Sequence, residues 1–360
     1  MHIKSGELLT RLIVVSTALL ILGGSIGCGD DSEVILKPIE RTNSQQRADE
    51  LVPITRSKFL ESNGGLEEKV NPTNLLSGFT QKIFEAQVAL ARMGISSGSI
   101  DGLPGSQTRA AIRAFQEKEG LRATGNLDDA TLEQLTLDTP ALKTVTISPE
   151  DLTRLQPLGK TWLEKSQQTR LDYETIIESL AEKSQAHPNL IRKLNPGIDW
   201  EKVTAGISVY VPSVQSPQAG KAAMVRISLE ARVLEAFDES TNLVAHFPCS
   251  IAQKVEKRPV GELHVEVIAP NPNYTFNPEV FPESPEAREL DRKLILQPGP
   301  NNPVGTVWIG LDKSGYGIHG TPRPEDVGRT ESHGCFRLAN WNAEFLSRLI
   351  TVGMPVLVEP

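Results

Sequence analysis

Between Phe79 and about Leu137 apolar residues recur at helical spacing in three short stretches, one through Ile83, Gln87 and Leu90, one through Ala111, Ile112 and Phe115, and one through Thr131, Leu132 and Leu135. The joints carry Asp101-Gly102 with Gly105, then Gly120 and Gly125, each supplying a helix stop or a positive-φ position. A small three-helix bundle over 78–137 is expected. A Thr/Pro-rich linker is expected over 138–160. Residues 161–213 then read strand, helix, helix, strand: Tyr173, Ile176, Ile177 and Leu180 form one stripe, Leu190 and Leu194 begin another that stops at Asn195-Pro196-Gly197, and Val209-Tyr210-Val211 alternates toward Pro212. A Pro/Gln/Gly-rich linker follows at 214–222.

From residue 223 to 360 the period shortens. Strand-like runs appear at Val225-Ile227-Leu229, Val244-His246, His264–Ile268, Val307–Ile309 and Val356–Val358, so this last domain is expected to be mostly β. Asn271 to Pro303 interrupts it with an Asn- and Pro-rich insertion that is a candidate lid. Helix is expected around Pro285 to Arg292 and around Ala343 to Thr351, the second with Phe345, Leu346, Leu349 and Ile350 at core spacing. The fold class is therefore multidomain, as a length of 360 residues also suggests.

The N-terminus follows a different logic. Lys4 and Arg11 precede an uncharged apolar run from Leu12 to Leu22, about half the ~20 residues needed to span a bilayer. Small residues then lead to Cys28, through Gly23, Gly24, Ser25, Ile26 and Gly27. Residues 1–28 read as an export signal. The segment resembles a bacterial lipoprotein signal, which would make Cys28 a lipidation site, the mature N-terminus and a membrane anchor, although Ser25 stands where that signal usually has leucine. Residues 29–77 are polar and acidic, without a sustained apolar period, and are expected to form a flexible tether. An exported protein of the periplasm or cell envelope is expected.

Charge narrows the partners. The 37 basic residues against 45 acidic give a net charge of −8, with no basic stripe to track a phosphate backbone, so nucleic acid is not an expected partner. Three widely separated cysteines, Cys28, Cys249 and Cys335, argue against both a structural zinc site and a disulfide scaffold. Cys249, in an alternating strand, is expected in the core.

One short window concentrates reactive groups: His319-Gly320-Thr321, then Ser332-His333-Gly334-Cys335-Phe336-Arg337. A thiol becomes a strong nucleophile when an adjacent imidazole takes its proton. Gly334 lets the backbone turn tightly, so that the N–H groups of Gly334 and Cys335 can face a developing oxyanion. The same residues are compatible with a metal site or with a core role, and the residues alone leave those alternatives open.

Three resemblances bear on this choice. Gly98 to Leu135, with Ile100-Asp101-Gly102, Gly105, Thr108, Ala114-Phe115-Gln116, Gly120-Leu121, Gly125 and Leu127-Asp128, resembles the peptidoglycan-binding helical repeat of bacterial wall enzymes. Leu194-Asn195-Pro196-Gly197 and Val211-Pro212 are similar to a lysin-motif (LysM) module, a βααβ unit that binds N-acetylglucosamine chains. The pattern His-Gly-Thr, a loop, then Ser-His-Gly-Cys-x-Arg resembles the signature of the L,D-transpeptidases. Asn271–Tyr274 and Pro298–Gly305 look like the segments flanking the cleft in that family.

The last resemblance implies a mostly-β catalytic domain that cross-links peptidoglycan. Cys335 would be the nucleophile and His319 its base, with the Gly320 carbonyl orienting the far ring nitrogen of His319. Ser332 and His333 would shape the cleft and the oxyanion site, and Arg337 would brace the catalytic loop or meet a substrate carboxylate. Trp308 and Tyr316 are candidates for the substrate groove, with a place as buried aromatics of the β core as the alternative. Peptidoglycan stem peptides and glycan strands are the implied partners, and no metal or organic cofactor is implied. Attack by a diamino-acid amine on the acyl-enzyme would form a 3→3 cross-link. Water would make the protein an L,D-carboxypeptidase, and a lysine of another protein would tether that protein to the wall. A catalytically silent wall anchor is the competing expectation.

Overall fold

The computed structural model describes residues 26–27, 33–34, 76, 78–215, 217–218, 220–280, 285–330 and 334–360. Cys28, the apolar run before it and most of the expected tether lie outside the described residues. Among the described residues no helix is long and apolar enough to cross a membrane.

Two short strands, β1 (Ile26–Gly27) and β2 (Glu33–Val34), come first in the chain. Helices α1 (Gly78–Arg92), α2 (Ser106–Lys118) and α3 (Asp129–Gln134) then form the bundle that the periodicity predicts. Leu90, Ala111, Ile112 and Phe115 share its core. Two buried glutamines fasten its turns. Gln87 accepts from the N–H groups of Asp101 and Gly102 at 3.1 and 2.8 Å and donates to Asp101 and Thr108. Gln116 accepts from Gly125 N–H at 2.7 Å and donates to Asn126 O and Thr131. The turn glycines have φ of +73° (Gly102) and +71° (Gly125), conformations that an L side chain rarely adopts.

The middle unit departs from expectation. Its opening strand is β3 (Leu142–Thr146), inside the stretch read as a linker over 138–160, and it pairs antiparallel with β4 (Ser208–Pro212). Trp162, read as the start of that strand, instead opens a helix. The physical reason is the capping box Thr161-x-x-Glu164, which satisfies the first amides of α5 (Trp162–Gln167). A second box, Ser148 with Asp151, starts α4 (Pro149–Thr153) in the same stretch. Between the paired strands also lie α6 (Ile176–Lys183) and α7 (Pro188–Leu194). Asn195, after α7, clamps β4 by accepting from Tyr210 N–H and donating to Tyr210 O.

The C-terminal unit contains an eight-stranded sheet. Its strands are β5 (Met224–Ser228), β6 (Val233–Phe237), β7 (Leu243–Pro248), β8 (Gly261–Pro270), β11 (Val307–Leu311), β12 (Gly317–His319), β13 (Phe336–Arg337) and β14 (Pro355–Glu359), in the order β13-β12-β11-β8-β14-β5-β6-β7. Helix α8 (Asn340–Leu349) covers one face with Phe345, Leu346 and Leu349. The insertion forms a hairpin, β9 (Tyr274–Phe276) with β10 (Leu294–Leu296), which β2 and β1 extend. Where helix was expected near Pro285 to Arg292 there is only a 3₁₀ turn, Glu286–Glu289.

The three units are packed together around one loop, residues 94–100. His246 N–H donates to Gly94 O and Ser96 N–H to His246 O, joining the bundle to β7. Ile100 N–H donates to Gln185 O and His187 N–H to Ile100 O, joining the bundle to the middle unit. Ile100, Phe84 and Val88 share a core with Ile176, Leu190 and Val209.

Replacing Gln87 with Leu would leave the Asp101 and Gly102 amides without their acceptor. A loss of ~2–4 kcal/mol of stability is expected, read by urea denaturation of the full chain. A change below ~0.5 kcal/mol would contradict this account of the turn.

Candidate active site

Strand β12 ends at His319 and runs parallel to β13, with Ile318 opposite Phe336 and His319 opposite Arg337. Successive strand residues face opposite sides of a sheet, so Cys335, immediately before β13, falls on the same face as His319. On β11, Trp308 is the direct antiparallel partner of His319 and shares that face. Phe336 and Ile318 point the other way, into the core under α8. The register alone therefore brings a cysteine and a histidine from opposite ends of a loop to one spot.

His319 is buried, and its Nδ1 lies 2.6 Å from Gly320 O. Burial, then the nearby Arg337 guanidinium, lowers its pKa to about 3. The ring is thus neutral at physiological pH, and the carbonyl fixes the tautomer: Nδ1 carries the hydrogen and Nε2 keeps a lone pair. Trp308 stacks on the imidazole, with ring centroids 5.7 Å apart and an interplanar angle of 22°. Trp308 is fully buried and backs His319, the core placement among the two that the sequence allowed. A Cβ on Gly317 would meet the Trp308 ring at 2.6 Å, which is why a glycine stands there. Tyr316 is half-exposed under Lys313 and keeps its candidacy for the groove.

The carbonyl that holds His319 is itself held. Gly320 N–H donates to Val307 O at 3.1 Å, and Leu338 N–H donates to His319 O at 2.8 Å. The Asn340 side-chain oxygen presses against Gly320 and Gly305 together. It sits 2.1 and 2.0 Å from where a Cβ on each would be, and it accepts from Thr306 N–H at 3.2 Å. Sequence reasoning missed Asn340. Its only signal was a polar residue at the start of a helix, closely following the Cys335-x-Arg337 run.

Cys335 is buried in a cluster with Trp308, Tyr274, Phe276, Leu296 and Leu171. Its sulfur lies 3.8 Å from Gly315 O. Cys249 is a separate free cysteine, fully buried. Burial pushes its thiol up to about 12, which makes it inert. Gly334 is buried beside Cys335, while Ser332 and His333 lie outside the described residues. Arg337 exchanges both backbone hydrogen bonds with Ser250, at 2.9 Å each, and the Ser250 hydroxyl accepts from Gly328 N–H in the catalytic loop. Gln107, in the first turn of α2, donates to Val327 O of the same loop. Among the described residues no cluster of histidine, cysteine and carboxylates suits a metal ion.

Comparison with known proteins places two parts of the chain in families. Residues 222–358 match the L,D-transpeptidase catalytic domain family, and residues 80–135 match the family described as "Putative peptidoglycan binding domain". The "Putative L,D-transpeptidase YkuD" of Bacillus licheniformis is 27% identical over 184 residues, 51% of this chain and 93% of that protein. The "Putative L,D-transpeptidase YqjB" of Bacillus subtilis is 40% identical over 106 residues, 28% of this chain and 51% of that one. The "Probable L,D-transpeptidase YbiS" of Escherichia coli is 29% identical over 182 residues, 50% of this chain and 58% of that one. The chain thus spans little more than half the length of the last two. Together these matches indicate an enzyme, an L,D-transpeptidase. Its catalytic domain lies at 222–358, behind a peptidoglycan-binding domain. The middle unit has no counterpart among the matched families.

Two predictions follow from the geometry. Gly320→Ala would drive a methyl group into Asn340 and move the carbonyl that orients His319. At least a ~10-fold slower alkylation of reduced Cys335 is expected at pH 7 in protein that still unfolds cooperatively; an unchanged rate would sink the assignment of Gly320. His319 has a folded pKa below its unfolded value of about 6.5, so the unfolded chain binds more protons between those values and stability falls as pH drops. Acidification from pH 6.5 to 5 should cost the wild type ~2 kcal/mol more than His319→Asn, as measured by denaturant titration at each pH.

Proposed function

We propose that the reduced Cys335 thiol is the nucleophile of an exported L,D-transpeptidase that forms 3→3 peptidoglycan cross-links. The observation that carries this reading is a buried, neutral imidazole on the cysteine's own sheet face, its Nδ1 committed to Gly320 O and Nε2 left to act as base. His319 Nε2 takes the thiol proton, and the thiolate attacks the carbonyl of the third stem residue. The N–H groups of Gly334 and Cys335 stabilise the oxyanion, with Ser332 and His333 shaping that part of the cleft. As the tetrahedral intermediate collapses, the protonated imidazole returns its proton to the departing D-alanine amine, leaving a thioester. A side-chain amine from a second stem then attacks the thioester, gives its proton to His319 and releases Cys335. Arg337, hydrogen-bonded through its backbone to Ser250, braces the loop.

Residues 142–212 serve in this reading as a LysM-like glycan-binding module. Support comes from the antiparallel pair β3 and β4 enclosing α6 and α7, and from the Asn195 clamp. Two wall-binding units beside one cysteine raise the local concentration of an immobile polymeric substrate. Residues 1–28 act as the export signal, with Cys28 as the lipid-bearing mature N-terminus. Mass spectrometry of the mature N-terminal peptide should find acyl groups on Cys28, and an unmodified Cys28 would remove the anchor.

The deciding experiment incubates reduced protein and Cys335→Ala with disaccharide-tetrapeptide and follows products by chromatography and mass spectrometry. Dimers that depend on Cys335, undiminished by a chelator, are the expected result. Tripeptide without dimers would make the protein an L,D-carboxypeptidase. Absence of both in folded, reduced protein would favour a protein acceptor or a silent anchor.

A further inference from the structure

Among the contacts between the middle unit and the C-terminal domain, one leads to the carbonyl that holds His319. Glu182, on α6, accepts from Asn340 Nδ2 with both carboxyl oxygens, at 3.1 and 3.2 Å. The same amide donates to Pro300 O at 3.1 Å, and its oxygen accepts from Thr306 N–H while wedged against Gly305 and Gly320. Asn340 is fully buried, so the orientation of its amide is set by these partners and not by water. Flipping the amide would aim its NH₂ at Thr306 N–H and its oxygen at Pro300 O, losing the contacts on both sides.

We propose that Glu182 is a positioning residue for the catalytic base: it fixes the Asn340 amide, whose oxygen locks the Gly305–Gly320 contact and with it the carbonyl that orients His319. This rests on the transpeptidase reading for its consequence in turnover, but not for its effect on the cysteine. The middle unit thereby completes a site whose reacting groups all belong to the C-terminal domain. Neighbouring contacts hold the carboxyl group in place. Glu178, one turn earlier on α6, accepts from Asn301 Nδ2 at 2.6 Å, and the Tyr173 hydroxyl lies 3.5 Å from Glu182. Burial raises the pKa of Glu182 to about 8; the Asn340 hydrogen bond opposes this, and Glu344 and Glu178 add to it. A carboxyl group that is largely neutral near pH 7 has the same acceptor as a glutamine. Glu182→Gln is therefore the conservative variant.

The test uses the reduced full chain and measures the rate of iodoacetamide alkylation at Cys335, by peptide mapping, from pH 5 to 9. His319→Ala is the reference for a lost base. Glu182→Ala is expected to slow alkylation at pH 7 by about 5- to 10-fold and to move the profile toward that of His319→Ala. Glu182→Gln should restore the wild-type profile. With disaccharide-tetrapeptide, Glu182→Ala should lower kcat by a similar factor and leave KM within about 2-fold. If Glu182→Ala fails to fold, Glu182→Met fills the volume without an acceptor and takes its place. A role confined to gluing two units together would lower Tm and leave the alkylation profile on that of the wild type, which overturns the proposal. An alkylation rate indifferent to His319 would overturn it as well. Wild-type protein that alkylates with His319 dependence yet processes no tetrapeptide would defeat the transpeptidase reading while the positioning role stands.

Discussion

Two glycines and one amide set the geometry on which the site depends. Gly305 and Gly320 approach so closely that a Cβ on Gly305 would lie 2.6 Å from the carbonyl carbon of Gly320, and Asn340 Oδ1 fills the notch between them. No larger residue fits at Gly305 without moving the Gly320 backbone, or at Gly320 without displacing the Asn340 side chain. This contact ties β11, β12 and the start of α8 into one rigid corner. The Gly320 carbonyl projects from that corner toward Nδ1 of His319, where other hydrolytic triads place a carboxylate. A carbonyl brings no charge, so the imidazole stays neutral between turnovers, as its burial and the neighbouring Arg337 also require.

The corner has contacts from outside its own domain. Gln107 of the helical bundle donates to the loop between His319 and Cys335, Glu182 of the middle unit holds Asn340, and Trp162 of the middle unit stacks on Phe276 at 4.4 Å. The loop 94–100 joins all three units by backbone hydrogen bonds. A backbone ladder of this kind specifies register between units in a way that apolar contact alone does not. The described units therefore form one packed body and not a string of modules on linkers.

Much of the secondary structure was legible because periodicity reports burial directly. The helices around Leu90, Phe115 and Leu180 each bury one stripe, and β5, β8, β11 and β14 alternate or run apolar as buried strands do. Strands β12 and β13, which carry the chemistry, were not legible as strands. They are two or three residues long, rich in glycine and polar groups, and they exist only because β11 offers an edge. The middle unit was misplaced at its start because β3 is an exposed edge strand, Leu142-Lys143-Thr144-Val145-Thr146, with little apolar signal. Its partner lies more than sixty residues downstream. His319, Cys335 and Gly320 could be singled out because a cysteine, a histidine and a glycine fall in one short window. Asn340 and Glu182 could not, since their importance arises from contacts between units.

Packing of the units also changes what binding to a polymer can accomplish. Modules on slack tethers raise the concentration of substrate around a cysteine without choosing which stem arrives. Units fixed to the catalytic corner impose a distance and a direction between any bound glycan and the thiol. The strand's own repeat then decides which stem peptides fall within reach. Such an arrangement would trade the freedom of a tether for selection by geometry.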